Sequence, residues 1–247
     1  MNFEVKNDPV VESATIRCDG ISVLTGPSGC GKTRVMKAVY DKFPSGYFWQ
    51  VCTAWNPASQ AFRDLGLHGR EKTHSIDGKQ KYIFDRIREF IGGYFELSIG
   101  VYNADWFVPL SGWPDRYSAY YASNGETAFG WLQAYVRTEK WFKTDEQAPL
   151  VFIDSPDAYL SSEWAAEYAR VLVEIRKAFG TSFIVAVRDP NFVAALWDAA
   201  LNEGIVSDVS LYEAKKNKNG KYVYRDGVEA ELKFRPLFQQ LYGRKKQ

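Results

Sequence analysis

Apolar residues recur along this chain in two periods, and the change from one to the other marks the elements. Ile21, Val23 and Leu24 form a short β-branched run that ends at Gly26 and reads as a strand. After a glycine-rich loop, Val35, Met36, Val39 and Phe43 recur at helical spacing, and Pro44 stops the pattern. A further strand is expected over 47–53, polar helix with glycine interruptions over 56–92, and no clear period over 93–121, which is dense in Tyr, Trp, Gly and Pro. The second half is plainer. A helix is expected over 125–142, then an apolar strand ending in an acid at Asp154. Trp164, Tyr168, Val171, Ile175 and Phe179 share one face of the next helix, with Gly180 as its stop. Another buried strand covers 181–187 and another helix 191–204, while Asn219-Gly220 between two strand-like runs signals a hairpin. Strands alternating with amphipathic helices predict an α/β fold, a mainly parallel sheet flanked by helices. No heptad array, repeat or low-complexity linker interrupts it, so a single domain over 1–247 is expected, with a helical subregion at about 56–145 and a basic hairpin and tail at about 208–247.

Composition narrows the class. The 247 residues are 46% hydrophobic and 25% charged, which excludes disorder as the main state and supplies core enough without a metal or disulfide staple. No apolar run approaches the ~20 residues of a membrane span, and the start carries acids rather than a basic secretion signal. Formal charge is only +1, but ten Lys or Arg against three acids lie beyond residue 213. Such an end meets phosphate backbones, including DNA, or is a solvated turn and terminus. Cys18, Cys30 and Cys52 are odd in number and lack a CxxC spacing, so with two histidines no zinc site is expected, and a reduced cytoplasmic compartment fits.

The chemistry begins at Gly26-Pro27-Ser28-Gly29-Cys30-Gly31-Lys32-Thr33, which satisfies GxxxxGK[ST] between a strand and a helix, with Arg34 next. Glycines let the backbone turn successive N–H groups toward a phosphate, and the helix N-terminus adds partial positive charge. Lys32 is expected to reach the β- and γ-phosphates of ATP, and Thr33 to offer its hydroxyl to Mg²⁺. The acid of such a site lies at the end of an apolar strand, and Asp154 fills that place in the metal shell.

With these two elements the sequence resembles the ABC-type P-loop ATPases. Residues 153–160, Ile-Asp-Ser-Pro-Asp-Ala-Tyr-Leu, resemble the DEP element and D-loop, and Ser123-Asn124-Gly125-Glu126 resembles the signature, in its SxGE form of the SMC-like and OLD-like branch. Val185-Ala186-Val187-Arg188-Asp189-Pro190 is similar to the switch element, with Arg188 where the family holds His. The four elements keep family order over about residues 20 to 195. The resemblance implies a P-loop NTPase fold with an antiparallel β portion and a C-terminal hairpin. It also implies a metal-shell Gln, for which Gln50 is the candidate, with Gln60 and Gln80 as rivals, and an aromatic on adenine such as Phe3.

Two departures bear on turnover. The family's catalytic Glu position is Ser155, which cannot serve as a general base, a role worth about 10²–10⁴-fold. Arg188 either neutralises γ-phosphate charge, as arginine fingers do, or pairs with a nearby acid such as Asp189. Asp157 and Glu126 are the candidates for a replacement base. In the family the signature of one subunit covers the nucleotide of another, so the resemblance implies an ATP-dependent homodimer. Ser123 and Gly125 would contact the γ-phosphate across the interface, while Ser123 or Asn124 also fits a plain helix N-cap. Three readings follow: a slow hydrolase switch in DNA maintenance or mobile-element defence, the ATPase subunit of a transporter, and a non-hydrolysing ATP sensor that docks an effector protein. The aromatics Trp106, Trp113, Tyr117, Tyr120 and Tyr121 before the signature mark either a partner surface or a core-covering loop.

Overall fold

The computed structural model describes residues 1–6, 8–43, 47–50, 78–96, 106–111, 117–118, 123–142, 150–158 and 160–226. In chain order its elements are β1 (Asn2–Lys6), β2 (Val11–Arg17), β3 (Ile21–Thr25), α1 (Lys32–Tyr40), β4 (Tyr47–Gln50), α2 (Gly78–Phe90), β5 (Gly93–Glu96), β6 (Trp106–Pro109) and β7 (Tyr117–Ser118). There follow α3 (Asn124–Phe142), β8 (Leu150–Asp154), α4 (Ser162–Phe179), β9 (Ser182–Ala186), α5 (Pro190–Asn202), a 3-10 turn (Val206–Asp208), β10 (Val209–Lys216) and β11 (Tyr222–Asp226). They form two compact units, Met1–Phe48 with Pro149–Gln247, and Trp49–Ala148.

The first unit is built on an eight-stranded sheet in the order β1-β2-β11-β10-β3-β9-β8-β4. Strands β3, β8 and β9 are buried at every position, as parallel strands covered on both faces require. They run parallel to one another and to β10. The β1–β2 pair is antiparallel, with Val11, Ala14 and Ile16 buried and Glu12 and Thr15 exposed, so it presents one apolar and one polar face. Between these halves lies the β10–β11 hairpin, with β11 parallel to β2. Its turn is closed by Asn217, whose side-chain oxygen accepts from the N–H of Asn219 and of Lys221, while Gly220 supplies φ 81°. The hairpin expected at Asn219-Gly220 is therefore present, and it is an internal part of the sheet.

Helix α1 buries Val35, Met36 and Val39 in a core shared with Leu24, Phe152 and Ile184. It ends at Tyr40 rather than running on to Phe43, because the chain tightens into i→i+3 bonds, Lys42 N–H to Val39 and Phe43 N–H to Tyr40. Ser161 caps α4 by accepting from the Trp164 N–H, and Gly180 ends it at φ 76°. Asp189 caps α5, and Pro190 takes the first helical position, where its missing N–H costs nothing. These caps fix where β8, β9 and their following loops meet α1.

The second unit packs α2 and α3 with an antiparallel three-stranded sheet, β5-β6-β7. Helix α3 is buried at every position from Thr127 to Val136. A Cβ on Gly130 would stand 2.5 Å from the Phe95 ring, so the helix approaches β5 as closely as it does only with glycine there. The Gln133 side chain accepts from the Phe95 N–H and donates to the Gly93 carbonyl, which satisfies a buried amide against a strand end. Among the described residues no helix is long and apolar enough to cross a membrane.

Candidate phosphate-binding site

The loop from Gly26 to Gly31 leaves β3 and enters α1 through two backbone positions that only glycine fills. Gly26 has φ 146°, and a Cβ there would lie 2.8 Å from the Ala214 Cβ on β10. Gly31, at φ 91°, is the N-cap of α1, and a Cβ there would lie 2.6 Å from Val11 Cγ2 on β2. Both strain and space therefore exclude side chains, and the loop is seated against the hairpin on one side and β2 on the other. Tyr224 on β11 completes the seat: its hydroxyl donates to the Cys30 carbonyl at 3.3 Å and lies 3.3 Å from Cys30 Sγ. Burial, with Cys30 beside it, pushes the Tyr224 phenol far above its ordinary range, so it stays a neutral donor.

Lys32 opens the helix and is 7% exposed. Its Nζ reaches back across the loop, donating to the Gly26 carbonyl at 2.7 Å and the Pro27 carbonyl at 3.2 Å. Thr33 Oγ1 donates to Asp154 Oδ2 at 2.6 Å, joining the start of α1 to the end of β8. The other oxygen of Asp154 accepts from Ser155 Oγ at 3.1 Å. Ser155 has φ 57°, the one positive value outside glycine among the described residues, and its N–H donates to the Ala186 carbonyl at 2.8 Å. A cavity of about 280 Å³ lies over this group, lined by Ser28 to Arg34, Asp154, Ser155 and Arg188.

Arg34 stands at the cavity margin and pairs with Asp8, its Nε 2.9 Å from each carboxylate oxygen. The same carboxylate accepts from the N–H groups of Val10 and Val11. The guanidinium foremost, and the two amides with it, hold the Asp8 carboxyl below its ordinary value against the opposing effect of burial. Arg188 is exposed, and its guanidinium makes no ion pair among the described residues. Its neighbour Asp189 is occupied in capping Asn191, so the expected alternative of a local pair with Asp189 is not what the structure shows.

The sequence-derived residues thus fall into groups. Lys32, Thr33, Arg34, Asp154, Ser155 and Arg188 line one cavity with the glycine loop. Ser123, Gly125 and Glu126 open α3 in the other unit. There Glu126 accepts from the Ser123 N–H at 2.6 Å and Ser123 Oγ accepts from the Glu126 N–H at 3.1 Å, a reciprocal capping box. Gln50 ends β4, and Gln60 lies outside the described residues. Gln80 is buried and donates to the Val136 carbonyl on α3. Phe3 packs edge-on against Phe43 at 6.3 Å. Of the aromatics expected ahead of α3, Trp106 and Tyr117 lie in β6 and β7, and Trp113, Tyr120 and Tyr121 lie outside the described residues. Sequence reasoning missed Asp8, Ala214 and Tyr224, because their contribution comes through strand order, which no local spacing encodes. The one available signal was Asp8-Pro9, a turn-forming pair.

Three cationic side chains, a glycine cradle that a Cβ would fill, and a hydroxyl–carboxylate pair form one donor set. It fits a phosphate chain with a hard divalent cation, which takes oxygen ligands. Together with the sheet order, this chain has the fold of the ABC-type P-loop ATPases. Its sheet is mainly parallel, with the antiparallel portion and C-terminal hairpin that the sequence led us to expect. No protein-family model and no curated protein matches the chain. Solved structures do. The SmcHead bound to the C-winged helix domain of ScpA is similar over 94% of this chain and 98% of its own, with a TM-score of 0.57 at 12% identity. CbiO1 from Clostridium perfringens, part of the ABC transporter complex cbiONQ, gives 0.53 at 14% identity over 99% and 92%. The SMC head domain from Thermotoga maritima gives 0.52 at 14% over 91% and 97%.

Proposed function

We propose that this chain binds Mg-ATP at the glycine loop and acts as a switch in which two copies close around nucleotide and part after slow hydrolysis, in DNA maintenance or mobile-element defence. The Thr33–Asp154 bond, set beside Lys32 at the head of α1, carries the nucleotide reading. Lys32 exchanges two neutral carbonyl partners for charged phosphate oxygens, the stronger acceptors. The loop N–H groups, the N-terminus of α1 and Arg34 add to the same attraction. Thr33 and Asp154 are the protein ligands of Mg²⁺, with Gln50 as a further one. Held there, the metal would offset the charge of the phosphates.

Turnover is slow in this reading because Ser155 offers no base. Its hydroxyl is a donor to Asp154, and removal of a general base costs about 10²–10⁴-fold in rate. Across the dimer, Gly125 offers its N–H, and Ser123 donates the hydroxyl proton that its capping role leaves over. The SxGE form, the Asp-Ser-Pro-Asp-Ala-Tyr-Leu element and the basic residues beyond 213 support the DNA-linked setting. Titration calorimetry with Mg-ATP and light scattering with and without it test the proposal. Binding with a doubling of mass is expected; no heat, or a monomer in both states, sinks it.

The bond from Ser155 to Asp154 also favours a second reading, a non-hydrolysing ATP sensor that docks an effector protein. The similar SmcHead structure, bound to a winged-helix domain of ScpA, supports an effector of that kind. Steady-state phosphate release with and without DNA separates the two: the first reading expects slow release stimulated by DNA, the second none.

A further inference from the structure

After β8 the chain makes a tight turn, Ser155-Pro156-Asp157-Ala158, closed by the Ala158 N–H on the Ser155 carbonyl. The turn carries the Asp157 side chain to the segment that follows β9. There Asp157 Oδ2 accepts two backbone N–H groups, Arg188 at 2.7 Å and Asp189 at 2.6 Å. The residue is 9% exposed, and Oδ1 is buried with no hydrogen-bond partner among the described residues. A buried carboxylate bonded to amides in this way is a strong, directional tie. The tied segment is fixed on both flanks as well: the Val187 N–H donates to the Leu24 carbonyl on β3, and Asp189 caps α5. All three constraints converge on the backbone of Arg188, whose own side chain makes no ion pair among the described residues and lines the cavity beside Lys32, Thr33 and Asp154.

We infer that Asp157 is a positioning residue: it holds the Arg188 backbone so that the guanidinium meets the terminal phosphate of a nucleoside triphosphate, and thereby sets the preference for triphosphate over diphosphate. This inference rests on the nucleotide reading above. It also assigns Asp157 a role other than proton acceptor. Both amides use one oxygen, so Asp157→Asn keeps the acceptor that matters while removing the ability to take a proton.

The experiment measures Mg-ATP and Mg-ADP affinities by calorimetry, with phosphate release, for wild type, Arg188→Ala, Asp157→Ala, Asp157→Asn and the double alanine variant. Arg188→Ala is expected to weaken ATP about tenfold, the worth of one charge-assisted contact, and to leave ADP within about twofold. Asp157→Ala reproduces that loss, and the double variant loses no more than either single one, because both changes remove the same contact. Asp157→Asn keeps the wild-type ATP/ADP ratio and rate. An Asp157→Asn variant that keeps the ratio but loses phosphate release overturns the inference in favour of a base, and an Arg188→Ala ratio like wild type overturns it outright. Should Asp157→Ala fail to fold, those two variants still decide. Wild type that binds neither nucleotide rejects the nucleotide reading itself, whereas binding with an unchanged ratio in every variant rejects only this inference.

Discussion

Helices α1 and α3 each begin at a glycine-bearing stretch that the sequence marks as a phosphate contact, yet their N-termini are in opposite electrostatic conditions. At α1, Gly31 caps through no side chain, and the first turn holds no acid. At α3, Ser123 and Glu126 cap each other's amides, and a carboxylate already occupies the positive end of the helix. The other well-capped helices follow α3: α4 uses Ser161 and α5 uses Asp189. A helix capped by glycine in place of a hydrogen-bonding side chain gives up about a few tenths of a kcal/mol. The chain accepts that at α1, where Lys32 and the glycine loop prepare the same amides for an outside anion. At α3 it keeps the stability and so presents a weaker, partly repelled site. In the switch we propose, the loop binds nucleotide first and the α3 end closes on it second.

The sharpest way to break this comparison is to remove the cation at the uncapped end. Lys32→Ala is expected to weaken Mg-ATP about 100-fold, the range of a charged hydrogen bond in a mostly buried site. Its melting temperature should stay close to wild type, since among the described residues Lys32 donates only to neutral groups, the Gly26 and Pro27 carbonyls and the Cys30 sulfur. Calorimetry paired with a thermal melt reads both. An affinity close to wild type would mean that the amides of α1 are not where the phosphates go.

At the capped end, Glu126→Gln keeps the side-chain acceptor for the Ser123 amide but removes its charge. If a phosphate is brought to α3 in a dimer, that loss of repulsion should tighten Mg-ATP-dependent association about threefold to tenfold in sedimentation or scattering. Weaker association would instead give Glu126 a direct part in holding the nucleotide or its metal.

How much of this was readable beforehand differs between the two helices. The glycine loop and Asp154 were legible because a phosphate loop must be written as contiguous sequence, and the acid must end a buried strand. The parallel strands could be read too, since burial on both faces leaves an apolar run such as Ser182–Ala186. Strands β1 and β2 gave no such run: half-exposed positions such as Glu12, Ser13 and Thr15 break it, and their pairing is set by partners distant in sequence. Insertion of the β10–β11 hairpin between β2 and β3 was equally invisible, and with it the seat that Ala214 and Tyr224 give the loop. The capping box at α3 was half legible. Ser-x-x-Glu encodes both a signature resemblance and a cap, and one spacing cannot separate them.

Removing a cap where no anion is expected gives the control. Ser161→Ala on α4 should cost about 1 kcal/mol, roughly 2–4 °C in melting temperature for a protein of this size, and leave nucleotide affinity unchanged. Ser123→Ala should cost a similar amount and also weaken Mg-ATP-dependent association. A Ser123→Ala variant that melts lower but associates as wild type confines Ser123 to the capping role.

The smallest effect expected is a pH dependence at the margin of the uncapped end. Asp8 is held below its ordinary carboxyl value of 3.8, first by the Arg34 guanidinium and then by the Val10 and Val11 amides. A depressed value means that the native state binds the proton less readily than the unfolded chain does. The stability it adds is therefore complete above pH 3.8 and is lost as pH falls through the lower native value. The Arg34 side chain is half exposed, so solvent screening keeps the contribution of the pair small. Asp8→Asn keeps an acceptor for the two amides and removes only the charge. Its stability should fall slightly below wild type near neutral pH and converge with it below pH 3.8, as chemical denaturation at a series of pH values would show. Curves that stay apart in acid would place the effect in the amide contacts instead of in the charge that restrains Arg34.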